Sequence, residues 1–346
     1  MSQIPAAADR WTAWDGFLEA TPDTGFMQAS WWADFRTTVG YEHFAAILKD
    51  RQAIVGGALV QKFAYGSHGS FYYIQDGPVL PGDQAIAATV LEAILEEIDQ
   101  RRRADDRVVS HLRVEPRWER LPSFVSGFRM VPAFEDAYME PRNTLCIDLR
   151  PPEASILAQM RPKGRYNIRV AQRHGVSVVE DQSDQGVKDF LRIYKRTAAR
   201  QELDAKPSAY FRSLVSMLSS LRRAAIFFAE YQGMRLATAL VVYFGRRATY
   251  FYGGSLARYR RVMAPCLLHF EIMRRAKARG LEWYDLWGVA PEDEPEHPWA
   301  NISAFKRKFG GVEVHLVPTL DLVYDQVAYD EYAALFGKAR PAVAEV

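Results

Sequence analysis

One order of elements is written into this chain twice. An apolar hairpin over residues 44–48 and 53–63 is followed by a strand at 70–74, a helix, and a closing strand at 108–115. The helix is marked by Asp83 as N-cap, by Ile86, Val90, Ile94 and Ile98 recurring every four residues, and by three arginines at 101–103. The same order returns later. A hairpin over 224–230 and 236–244 turns at Gly233, and a strand follows at 248–253. Pro265 then opens a helix with Leu268, Ile272 and Ala276 on one face, and a strand at 283–287 stops at Gly288. The copies lie about 170 residues apart and share topology rather than residue identity. Such a unit predicts mixed sheets with helices packed on them, an α/β (α+β) fold, and excludes a helical bundle or a TIM barrel.

A chain of 346 residues is long enough for two cores. The Leu149-Arg150-Pro151-Pro152 stretch is the expected boundary. It gives a first domain over 1–149, a second over 150–322, and a segment over 323–346 whose helix at 329–336 returns to the first domain. A composition of 49% hydrophobic and 25% charged residues excludes a disordered or low-complexity protein. Cys146 and Cys266 form no metal or redox motif and read as buried free thiols. The N-terminus lacks a signal-peptide pattern. The most apolar run, 236–244, is nine residues long, less than half a membrane span. A cytoplasmic protein is expected, with room for peripheral contact with the inner membrane face.

Net charge is only +2, yet it is unevenly spread. Residues 1–150 carry 15 basic and 21 acidic side chains, whereas 151–346 carry 29 and 21. The second part can therefore face a polyanion, although ordinary surface variation gives the same imbalance. Three segments sharpen the question. Ser303 to Gly311 sets Lys306, Arg307 and Lys308 between Phe305 and Phe309. That pattern suits a phosphate backbone with its end stacked on a ring, or else a solvated turn. Arg258, Arg260 and Arg261 precede the helix at Ala264-Pro265, where backbone N–H groups attract phosphate; any helix, however, needs an N-terminus. Arg165, Arg169 and Arg173 form one basic helical stripe, facing either a bound anion or the acidic segment 180–189. In the first half, Arg36 lies near Trp31 and Trp32, while Tyr72, Tyr73, Arg113 and Glu115 approach strand ends, which commonly edge a cleft. The seven histidines are scattered, so no metal site is expected; nor is a GxSxG elbow present. Asp285 in Trp283-Tyr284-Asp285-Leu286-Trp287-Gly288 either orients an amine or caps the next turn.

The chain resembles the FemABX aminoacyltransferases. The resemblance rests on Phe26-Met27-Gln28 with Ser30-Trp31, Asp76-Gly77-Pro78, residues 163–175, Gly253-Gly254, the helix start at 264–271, Tyr284 to Gly288, and Phe305 to Gly311. It implies two fused acetyltransferase-like (GNAT-like) domains, the first binding a precursor and the second binding aminoacyl-tRNA. The implied reaction transfers an aminoacyl group from a tRNA 3′ ester to an amine on the stem peptide of a peptidoglycan precursor, nucleotide-linked or lipid-linked. No cofactor is implied, and the compact members act as monomers. By similarity Lys306 stabilises the oxyanion and Phe305 stacks on the terminal nucleotide. The resemblance names no general base for the attacking amine; Asp285 and Glu115 are the candidates among the residues, and the substrate itself is the alternative. Arg307, Lys308, Arg258, Arg260 and Arg261 hold acceptor-stem phosphates. Arg36, where the family usually has Lys, grips precursor phosphate, with Arg200 or Arg212 as a second contact. Arg113 and Glu115, with Tyr72 or Tyr73, serve the precursor pocket. The helical arm of some members is absent, because no heptad pattern of sufficient length lies between Gln172 and Phe244.

Two other functions share parts of this pattern. An acyl-CoA-dependent N-acyltransferase has the same fold, but Arg260-Arg261-Val262-Met263-Ala264-Pro265 lacks the Gly-rich pyrophosphate cradle. Aminoacyl-tRNA-dependent transfer to a non-peptidoglycan acceptor, or RNA binding without catalysis, also fits the basic second half.

Overall fold

The computed structural model describes residues 7–131, 139–201 and 205–336. The chain opens with α1 (Ala7–Ala20), a 3-10 turn at Phe26–Gln28 and α2 (Ser30–Thr38). β1 (Glu42–Asp50), β2 (Ala53–Tyr65) and β3 (Gly69–Gln75) form an antiparallel meander. α3 (Gln84–Arg103) then crosses to β4 (Val108–Glu115), which pairs parallel to β3. The Asp83 carboxylate accepts from the N–H groups of Ala85 and Ile86 at 3.0 Å, and three arginines meet the negative end of the helix dipole. Val90, Ile94 and Ile98 are buried against β1 to β4, but Ile86 is 53% exposed. A four-residue step advances by about 40° beyond a full turn, so the first member of the series has rotated off the core face.

β5 (Arg129–Val131) is a short strand that sequence periodicity does not reveal. Next come β6 (Asn143–Asp148), α4 (Glu153–Gln159), α5 (Pro162–Arg173), β7 (Ser177–Glu180), α6 (Asp184–Arg200) and α7 (Ser208–Ser220). The second copy of the repeated unit then appears. β8 (Ala224–Tyr231), β9 (Met234–Phe244) and β10 (Arg247–Ser255) are antiparallel, and α8 (Ala264–Ala278) crosses to β11 (Trp283–Gly288), parallel to β10. α9 (Ala300–Lys306), a 3-10 turn at Arg307–Phe309, β12 (Val312–His315), β13 (Thr319–Val323) and α10 (Gln326–Phe336) complete the described chain.

The strands make two mixed sheets, β1-β2-β3-β4-β13-β5 and β12-β6-β11-β10-β9-β8-β7. One unit gathers the described residues up to Arg142 and those from Leu316 onward; the other is Asn143–His315. β6 pairs with β11 and β12, so the chain enters the second sheet at Asn143, ahead of the expected boundary at 149/150. β13 pairs with β4 and β5, so the return falls at Leu316 rather than at 323. In the first unit α10 packs its Tyr332 on Phe63, Tyr65, Phe71 and Tyr73, on the sheet face opposite α3. Residues 337–346 of the expected returning segment lie outside the described residues. In the second unit α5 and α8 share a core with β8 to β11. Tyr194 of α6 and Phe211 of α7 meet Tyr252 on the other face, and Phe190 of α6 packs on Phe211. Among the described residues no helix is long and apolar enough to cross a membrane.

Candidate active site

β11 ends in a backbone kink. Trp287 adopts a left-handed φ of 63°, and the pairing of β11 with β6 shifts register between Asp285 and Gly288. Asp285 holds that kink. Its fully buried carboxylate accepts from the Trp287 N–H at 2.8 Å, from Arg247 at 3.1 Å and from the Thr144 hydroxyl. Of the two sequence readings, this geometry is that of the turn cap.

The segment leaving the kink is clamped to α9 and the 3-10 turn that follows it by three hydrogen bonds. Lys306 Nζ donates to the Gly288 carbonyl at 2.6 Å. The Ala290 N–H donates to Ser303 Oγ at 2.8 Å, and Arg307 donates to the Ala290 carbonyl at 2.6 Å. Lys306 is fully buried, and its ammonium lies 5.9 Å from the centre of the Tyr250 ring. Burial lowers its pKa to about 7, against the upward pull of Asp285. His269 of α8 lies in the same apolar surroundings, with Nδ1 2.7 Å from the Tyr284 hydroxyl and the Tyr250, Phe309 and Phe305 rings centred 4.6, 5.3 and 5.5 Å away. Burial, and then the Lys306 charge, push its pKa down to about 3, so its imidazole is neutral at pH 7. A buried lysine in a largely apolar cage is a cation poised for charge that develops beside it.

The other predicted donor-side residues divide. Phe305 is half-buried, edge-on to Phe309 at 5.4 Å, with Lys308 Nζ 5.8 Å from its ring centre. Arg307 is committed to Glu313, at 2.5 and 3.0 Å, as well as to Ala290. Arg258, Arg260 and Arg261 are exposed on a 3-10 turn, Ala257–Val262, ahead of α8. Arg258 shares a cavity of about 650 Å³ with Arg192, Arg196 and Arg200 of α6 and Arg235 of β9. The structure therefore gathers two residues that the resemblance assigns to different substrates. Arg192 and Arg196 were legible in principle, since 192, 196 and 200 repeat at one helical turn. Arg200 also donates to the Ser255 carbonyl at 2.9 Å; Arg212 is exposed on α7.

In the first unit, Gln61, Tyr73 and Glu115 lie on cross-strand neighbours of one sheet face. Arg36 is buried, donates to Gln61 at 3.1 Å and stacks on Tyr41 at 3.9 Å. Gln61 donates to Gln75 at 2.9 Å, and Gln75 to Glu140 at 2.7 Å. Glu115 accepts from the Tyr73 hydroxyl, from Thr319 at 2.7 Å and from the Glu140 N–H at 3.0 Å. Burial raises its pKa despite the opposing Arg142 charge. Gln61, Gln75, Glu140 and Arg142 escaped the sequence reading because nothing local marks them. Tyr72 points to the opposite face, where its hydroxyl donates to Asp105 at 2.6 Å, so of the two tyrosines only Tyr73 joins this network. Arg113 is spent inside the fold on a bidentate pair with Asp321 at 2.9 and 2.7 Å. Among the described residues no group of three or more His, Cys, Asp or Glu side chains is placed to hold a metal ion.

Two copies of the hairpin–strand–helix–strand unit define a tandem acetyltransferase-like fold. A tandem GNAT protein from the clavulanic acid biosynthesis pathway overlays with a TM-score of 0.52 at 13% identity, covering 91% of this chain and 94% of that one. The chain belongs to the FemAB family, whose sequence pattern matches residues 131–232 and 218–336. The crystal structure of FemX overlays with a TM-score of 0.83 at 17% identity, covering 96% of this chain and 99% of that one. In sequence the chain is 25% identical to the UDP-N-acetylmuramoylpentapeptide-lysine N(6)-alanyltransferase of Weissella viridescens, over 94% of this chain and 96% of the relative. It is 19% identical to the lipid II:glycine glycyltransferase of Staphylococcus saprophyticus, over 92% of each.

Proposed function

We propose that this protein transfers an aminoacyl group from aminoacyl-tRNA to an amine on the stem peptide of a peptidoglycan precursor. The observation that carries the reading is the buried Lys306 cation at the β11 kink, in a chain whose relatives are aminoacyltransferases across nearly their full length. In the reaction the amine lone pair attacks the ester carbonyl carbon, and the carbonyl oxygen becomes an oxyanion. Lys306 stabilises that oxygen, which competes with the Gly288 carbonyl for the ammonium. The intermediate collapses, the bond to the ribose 3′ oxygen breaks, and the proton lost by the amine ends on that oxygen. Asp285 and Ser303 act through Lys306 by holding the kink and α9 together, and Phe305 receives the terminal nucleotide. Lys308, Arg260 and Arg261 contact acceptor-stem phosphates. In the first unit, Arg36, Tyr73 and Glu115 serve the precursor. The reaction belongs in the cytoplasm, where charged tRNA is made, and one copy of the chain suffices for it.

The test is transfer of labelled amino acids from a mixed pool of charged tRNAs to UDP-linked pentapeptide precursor, with lipid-linked precursor in parallel. Label on either precursor supports the reading and identifies the acceptor. Label on neither, with the tRNA remaining charged, overturns it.

The pH profile adds a second prediction. Lys306 loses its proton as pH rises through about 7, so kcat falls on the alkaline side of that value. A profile taken from about pH 6 to about pH 9 checks this; a kcat flat across that span removes the protonated lysine from the mechanism. The same depressed pKa means that the unfolded chain binds the extra proton above about pH 7, so this group makes stability rise with pH there.

A further inference from the structure

We propose that the outward face of α5 is the surface along which the acceptor arm of the RNA donor lies, an inference that rests on the donor reading above. α5 buries Gly164, Asn167, Ile168 and Ala171 and turns Lys163, Tyr166, Arg169 and Arg173 the other way. At 100° per residue those four fall within an arc of about 120°. All are exposed, Tyr166 by 52%.

Several other surface arginines of this chain have carboxylate partners: Arg102 and Arg103 pair with Asp99, Arg192 with Asp189, and Arg274 with Glu153 and Glu271. Among the described residues, Lys163, Arg169 and Arg173 have no ion-pair partner. Arg169 and Arg173, one helical turn apart, repel each other, and an external polyanion spanning them and Lys163 relieves that repulsion.

The position of the row names the polyanion. The Arg161 N–H donates to the Lys308 carbonyl at 3.1 Å, and a Cβ on Gly164 would lie 2.2 Å from that same oxygen. The first turn of α5 is thus built onto the turn that follows Lys306. Arg165 donates to the carbonyls of Ala158 and Met160 and fixes the helix on the end of α4. From Lys163 the face runs about 15 Å to Arg173. It is convex, so it suits a long backbone laid across it rather than a small anion enclosed. Sugar–phosphate contacts of this kind position a nucleic acid without reading its sequence. An anionic membrane is the rival polyanion, but a membrane-seated helix needs a continuous apolar face, and α5 offers outward only Pro162, Tyr166 and a half-buried Val170 among its cations.

The test measures tRNA binding by the full chain across a salt series, using wild type and the triple variant Lys163→Gln, Arg169→Gln, Arg173→Gln. Loss of three phosphate contacts lowers the slope of log K against log salt by about 2 to 3, and lowers affinity roughly 10²-fold near 0.1 M salt. The charge-keeping variant Lys163→Arg, Arg169→Lys, Arg173→Lys retains both, and helix content by circular dichroism matches across all three proteins. Unchanged affinity and slope in the glutamine variant overturn the proposal while leaving the donor reading intact. Vesicles containing anionic lipid that bind wild type but not that variant, with tRNA binding unaltered, assign the face to a membrane instead. Wild type that fails to bind tRNA overturns the donor reading and this proposal together.

Discussion

Replacing Lys306 with Met lowers kcat for aminoacyl transfer by about 10²- to 10³-fold, the cost of removing one preorganised donor from a developing oxyanion. The side chain is fully buried, its ammonium is aimed at the Gly288 carbonyl, and burial has already brought its pKa down to about 7. The cation is therefore held at an energetic cost to the fold, and Met, apolar and of similar length, relieves that cost. The melting temperature should hold or rise while catalysis collapses. Lys306→Arg should not rescue, because a planar fork has a different hydrogen-bonding geometry and greater bulk than an ammonium. Single-turnover transfer to UDP-linked pentapeptide, read beside thermal melting, separates the two roles open to this lysine. A variant that melts early yet turns over within threefold of wild type reduces Lys306 to a clamp on the β11 kink.

The repeated unit was legible in the sequence because its signals are local: hairpin turns, a capped helix with a four-residue apolar period, and a glycine closing the last strand. Which sheet a short strand joins is not local. Asn143–Asp148 carries no mark that it will sit between β11 and β12, nor does Thr319–Val323 show that it belongs with β4. For the site, the motif drew attention to three consecutive cations, but helical geometry sends them to three different fates. Lys306 turns into the core, Arg307 reaches Glu313, and Lys308 stays half-exposed beside Phe305. His269 sits in an apolar series where only tertiary contacts show that it faces the Lys306 cage. Tyr72 and Tyr73 are a different case, because adjacent strand residues must point to opposite faces and only one can face a given cleft. Arg113 passed for a ligand contact because an arginine near a strand end carries no local sign of a buried partner 208 positions away.

That pair carries the second large effect. Arg113→Ala should destabilise the first unit by about 3–5 kcal/mol, as when one member of a buried ion pair is removed. Arg113 and Asp321 face each other across the β4–β13 register, and both are almost wholly inaccessible to solvent. Asp321 also accepts from Tyr329 at 2.9 Å, and Arg113 reaches the Tyr332 hydroxyl at 3.3 Å, so the pair joins both sheet strands to α10. Burial alone would push the Asp321 carboxyl upward, yet the guanidinium more than offsets it and holds the pKa below the usual carboxylate value. Removing the arginine strands that charge in the core. Removing both, as Arg113→Met with Asp321→Leu, takes away the stranded charge and should restore most of the lost stability, the behaviour found when apolar side chains replace buried ion pairs. Denaturant unfolding of both variants decides the matter. If Arg113 instead met the precursor, Arg113→Ala would raise the KM for precursor with little change in unfolding midpoint, and the double variant would show the same KM defect. The bidentate geometry at 2.9 and 2.7 Å leaves the guanidinium edge already occupied, so the loss should appear as stability, with substrate affinity affected only through the fold.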